Sequence, residues 1–160
     1  MITDFGTSKI LQDDKEAGFE MKRASSFVGT AQYVSPELLS DKMICKSSDL
    51  WSLGVMIFQM ITTDWPFRGA SEYFIFENIV KLKYEIPPIF PEKCEDLITK
   101  LIVLDPYKRL GDSHTGGYSA LKSHPLFESV NWNDLMSQKP PPQMKLCTLG
   151  LFPVPENEHV

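Results

Sequence analysis

The sequence has 160 residues, 42% of them hydrophobic and 23% charged, which is the size and composition of one compact globular domain or of a piece of a larger one. Its 16 basic and 21 acidic residues give a net charge of −5 and are interspersed without a basic stripe, which argues against nucleic acid or an anionic membrane as the main partner. No apolar run reaches the ~18 residues of a spanning helix, residues 1–6 lack the features of a signal peptide, and Cys45, Cys94 and Cys147 show no Cys-x-x-Cys spacing. Composition therefore speaks against secreted, membrane-spanning and zinc-finger proteins, and a reducing, cytoplasmic setting is expected. It does not choose an activity.

In chain order, Ile2, Phe5, Ile10 and Leu11 alternate weakly and predict two short strands broken at Gly6. Residues 12–26 turn polar, with Gly18 and the adjacent Ser25-Ser26, and predict a long exposed loop of the kind that is either functional or disordered. Order returns near Phe27, and Ser35-Pro36-Glu37 predicts a helix start with Ser35 as N-cap and Pro36 in the first turn. Residues 49–61 carry apolar side chains around the whole helical wheel, which predicts a central, fully wrapped helix. A half-exposed helix is expected over 71–83. Pro91 opens a clearer one over 92–104, with Cys94, Leu97, Ile98, Leu101 and Ile102 at i, i+3, i+4, i+7 and i+8 and Asp105-Pro106 as the stop. Short helices are expected near 119–122 and 132–138. Pro140-Pro141-Pro142 marks the end of the globular part, so the expected division is a domain over 1–138 and a proline-rich linker or tail over 139–160.

Asp4-Phe5-Gly6 alone carries little weight, and its context carries the reading. It precedes the polar loop, Gly29-Thr30, Ser35-Pro36-Glu37, Asp49-x-Trp51-Ser52-x-Gly54, and Leu104-Asp105-Pro106-x-Lys108-Arg109-Leu110. This succession resembles the C-terminal portion of a eukaryotic protein kinase, with Ser-Pro-Glu where Ala-Pro-Glu is usual. Residues 2–9, 26–37 and 124–132 further resemble the AGC-type serine/threonine kinases of the phosphoinositide-dependent kind. The resemblance covers about residues 2–142. It implies a mainly α fold: the C-terminal lobe of the kinase fold, with short β-strands at the N-terminus and no N-terminal lobe.

The resemblance also assigns roles. Asp4 would ligate Mg²⁺ bridging to ATP phosphates, the use a hard carboxylate oxygen suits. Ser26 matches an activation-loop phosphorylation site, whose phosphate basic side chains would gather round, Lys9 among them. From sequence alone Ser25 is an equal candidate. Thr30 resembles the loop threonine beside the acceptor pocket. Glu37 and Arg109 resemble a buried ion pair that ties the activation segment to later helices, a supporting role and not a chemical one. Asp49 matches a carboxylate that receives backbone N–H groups of the catalytic loop; without the family it reads as an N-cap.

Phosphoryl transfer also needs a glycine-rich cover, a strand lysine with its helix glutamate, and a catalytic-loop Asp and Asn. The sequence contains no Gly-x-Gly-x-x-Gly, and none of His114, His124 and His159 begins His-Arg-Asp. In the family these parts precede Asp-Phe-Gly, so no catalytic base is expected among these residues, and ATP and Mg²⁺ belong to the full-length family. Three readings follow: part of a Ser/Thr kinase that phosphorylates activation loops of related kinases, with the N-terminal lobe as folding partner; a non-catalytic, substrate-binding or decoy module; or a truncated product without a function of its own.

Overall fold

The computed structural model describes Lys22–Arg23 and residues 30–138. The two strands expected in the first dozen residues lie outside the described residues. The chain divides into a unit Met1–Ser129 and a unit Val130–Val160. The described part of the first unit is mainly helical: β1 (Lys22–Arg23), α1 (Pro36–Ser40), β2 (Met43–Ile44), α2 (Lys46–Thr62), α3 (Glu72–Val80), α4 (Glu92–Leu101) and α5 (Gly117–Lys122). Tight 3₁₀ turns lie at Ala31–Tyr33, Pro106–Lys108, Ser113–Thr115 and Pro125–Phe127.

One stretch of the expected polar loop is a strand. β1 pairs antiparallel with β2, Lys22 opposite Ile44 and Arg23 opposite Met43. A pairing of two residues leaves no period-2 signature, so the sequence pattern does not announce it.

α2 organises the core. Leu50, Trp51, Val55 and Phe58 are buried along it, and Phe67, Ile75, Ile79, Phe90, Ile98 and Ile102 pack with its Trp51, Val55 and Phe58 on one side. On another side Leu50 meets Leu97 and Leu101, with Leu121, Leu126 and Phe127 against them. Fully burying such side chains contributes about 1.5–3 kcal/mol each, so this helix carries much of the fold's stability. Gly54 lets α4 approach: a Cβ there would sit 2.8 Å from Ile102 Cγ1 and 2.9 Å from Leu101 Cβ. The expectation of a fully wrapped helix is corrected, because Met56 is 40% and Met60 70% exposed among the described residues. Apolar residues circle the wheel, yet the strip they share is open.

Helix ends depart from the sequence reading for local reasons. Ser35 holds the N-cap position of α1, but its hydroxyl makes no capping bond. α2 begins at Lys46 behind Cys45, whose N–H donates to Ser48 Oγ at 3.1 Å, so Asp49 lies inside the first turn and is not the cap. α3 stops at Val80 because Leu82 adopts φ 52, which lets the Lys83 N–H reach the Asn78 carbonyl at 2.8 Å. A left-handed end normally calls for glycine, so Leu82 gives no warning. α4 ends at Leu101, three residues short of the predicted end at 104, because Ile102 leaves helical geometry at ψ 70 and the Lys100 carbonyl, which a longer helix would use for residue 104, accepts instead from the Leu110 N–H at 2.9 Å.

In the second unit, residues 130–138 form turns in place of the predicted helix. Asn131 accounts for it: its Oδ1 accepts from the Asn133 N–H at 3.2 Å, and its carbonyl accepts from Gln138 Nε2 at 2.6 Å. Short polar side chains that bond the local backbone compete with helix in this way.

Candidate functional site

The site is built around Arg109, which is fully buried. Its guanidinium and the Glu37 carboxylate meet in a two-pronged pair, Nη1 to Oε1 at 2.9 Å and Nη2 to Oε2 at 2.6 Å. The remaining donors go to backbone: Nη1 to the Ser47 carbonyl at 2.8 Å, Nε to Val103 at 2.9 Å and Nη2 to Leu104 at 3.3 Å. Ser48 Oγ donates to Glu37 Oε1 at 2.7 Å. Burial alone would push the Glu37 carboxyl up, but the hydrogen bonds and charge of Arg109, with Ser48, hold it below the ordinary carboxylate range. The planar guanidinium also lies 5.3 Å from the centre of the Trp51 ring, which itself stacks on Phe67. Arginine suits this place and lysine does not, because one flat group joins a carboxylate, three carbonyls and an aromatic face. One residue thus ties α1, the start of α2 and the segment after α4 together.

Next to this clamp, the Ala31–Tyr33 turn is fixed to α2. Tyr33 Oη donates to Gln59 Oε1 at 2.8 Å, Ser52 Oγ donates to the Tyr33 carbonyl at 3.0 Å, and the Tyr33 ring meets Trp65 edge-on at 5.2 Å. Thr30 heads the turn, exposed, its carbonyl accepting from the Tyr33 N–H at 3.1 Å. Its position therefore follows from α2 through Tyr33.

A second carboxylate steadies the start of α2. Asp112 accepts from Ser47 Oγ, from the His114 N–H at 2.9 Å, and from His114 Nδ1 at 2.7 Å. Partial burial would raise its carboxyl, yet these donors bring it below its ordinary value. Farther off, His124 Nδ1 accepts from the Leu126 N–H at 3.2 Å, which leaves Nε2 as the donor to Asp96 Oδ2 at 2.7 Å. That pair joins the Pro125–Phe127 turn to α4.

The structure brings Glu37, Arg109 and the turn headed by Thr30 into one region anchored on α2. Asp49 stands apart from them on the outer side of α2, in one helical strip with half-buried Leu53 and exposed Met56 and Met60. These positions fall at i, i+4, i+7 and i+11, one face of a helix. Partial desolvation raises the Asp49 carboxyl above its ordinary value. Asp4, Lys9 and Ser26 lie outside the described residues. Sequence reading missed Tyr33, Gln59, Ser47 and Asp112 as parts of this arrangement. Nothing in the local pattern pairs Ser47 with a carboxylate 65 residues away.

Among the described residues no group of three or more His, Cys, Asp or Glu side chains could hold a metal. The carboxylate that the resemblance offers to Mg²⁺ is Asp4, which lies outside the described residues. No described helix is long and apolar enough to cross a membrane.

A buried Arg–Glu clamp beside a turn headed by an exposed threonine, both anchored on α2, is an arrangement that holds the segment before α1 in shape. Residues 1–127 match the protein kinase domain, and the chain belongs to that family. Its relatives include 3-phosphoinositide-dependent protein kinases and other serine/threonine-protein kinases. It is 54% identical over 140 residues to 3-phosphoinositide-dependent protein kinase 1 of Rattus norvegicus, covering 88% of this chain and 24% of the relative. The same identity and share of this chain hold for the putative 3-phosphoinositide-dependent protein kinase 2 of Homo sapiens, with 34% of that relative covered. The serine/threonine-protein kinase ksg1 of Schizosaccharomyces pombe is 41% identical over 152 residues, covering 90% of this chain and 25% of the relative. The chain thus spans a quarter to a third of the length of these relatives.

Proposed function

We propose that this chain supplies the activation segment and C-terminal lobe of an ATP-dependent protein serine/threonine kinase of the phosphoinositide-dependent type, acting in cytoplasmic signalling. The observation that carries the reading is the buried Glu37–Arg109 clamp, set beside the Thr30 turn in a chain of the kinase family. On this reading Thr30 borders the acceptor pocket. Asp4 takes Mg²⁺, which when bound neutralises ATP phosphate charge. Ser26 is the regulatory phosphosite with Lys9 as a basic partner. The globular part runs over 1–138 and the tail over 139–160. Protein substrates are the activation loops of related kinases.

The strip of Asp49, Leu53, Met56 and Met60 belongs to the same reading. Exposed methionines on a helix whose opposite face is buried in the core mark a contact surface. The raised Asp49 carboxyl is a group that gains from backbone donors. The remainder of the kinase domain, with its N-terminal lobe and catalytic loop, is the partner that supplies both.

Complementation tests this. The chain is co-expressed with the part of a relative's kinase domain that ends at its Asp-Phe-Gly motif. Labelled phosphate transfer to protein serine or threonine is expected only when both pieces are present, and Met60→Lys should abolish it by blocking association. A complex that forms yet transfers no phosphate would overturn the proposal.

A further inference from the structure

We draw no further inference here: the strongest candidate, the exposed apolar strip of Met56 and Met60 on α2 with Asp49 at its head, belongs to the docking surface already proposed, and nothing in the structure shows what covers it.

Discussion

Replacing Glu37 by alanine tests the clamp most sharply. The change leaves the Arg109 guanidinium fully buried with its carboxylate partner gone, and it removes the acceptor of Ser48 Oγ. Breaking a buried pair by removing one partner costs about 3–5 kcal/mol, against a stability of about 5–15 kcal/mol for a whole domain. Urea unfolding followed by tryptophan fluorescence should report it, since Trp51 lies under the guanidinium. With a slope of about 2 kcal/mol per molar urea, the midpoint should fall by about 2 M. Arg109→Met should cost a similar amount, because the carbonyls of Ser47, Val103 and Leu104 lose their donors along with Glu37. In the double variant no charge is stranded. Its loss should therefore fall short of the two single losses added together by about 1–3 kcal/mol. It should not return to wild type, because the three carbonyls stay unpaired. A Glu37→Ala midpoint unchanged at equal slope, or strictly additive losses, would refute the reasoning.

The same carboxylate sets an acid limit. Its folded pKa lies below the ordinary glutamate value of about 4.3, so its stabilisation is full above that value and is lost as pH falls through the folded value; Glu37→Gln should flatten the acid limb of a stability–pH curve, and an unaltered limb would count against this. Gly54→Ala should cost about 1–3 kcal/mol by overpacking α2 against Leu101 and Ile102, seen as a lower thermal midpoint; a neutral result would mean that α4 shifts easily. The purified chain should transfer no phosphate from Mg-ATP to any peptide, because no glycine-rich loop or His-Arg-Asp occurs in it. Transfer above an Asp4→Ala control would contradict that.

Much of the architecture could be read in the sequence. The apolar run around Trp51 pointed to a central helix, and the i, i+3, i+4 spacing from Cys94 placed α4. Both signals are local and periodic. The differences come from long-range demands on the backbone. α4 ends early because Ile102 turns out of the helix and the Lys100 carbonyl is taken by the Leu110 N–H, and α3 ends on a left-handed leucine. Lys22–Arg23 becomes a strand only because Met43–Ile44 lies beside it. For the site, Glu37 and Arg109 were named through family motifs, whereas the bonds of Tyr33 to Gln59 and Ser47 to Asp112 join residues 26 and 65 positions apart. No local pattern reports such pairs. The openness of Met56 and Met60 was likewise hidden, since hydrophobicity says that a face wants cover and not what covers it.

The proposed function has residues 1–138 form a working activation segment and C-terminal lobe. It is tested most directly by grafting residues 1–138 into one of the relatives in place of its matching stretch and measuring kcat/KM with Mg-ATP and a protein substrate. The chimaera should keep activity within about tenfold of the parent and lose at least about a hundredfold on Asp4→Ala, as expected when several kcal/mol of metal-dependent charge stabilisation are removed. A folded chimaera that is inactive, or one indifferent to Asp4→Ala, would contradict it.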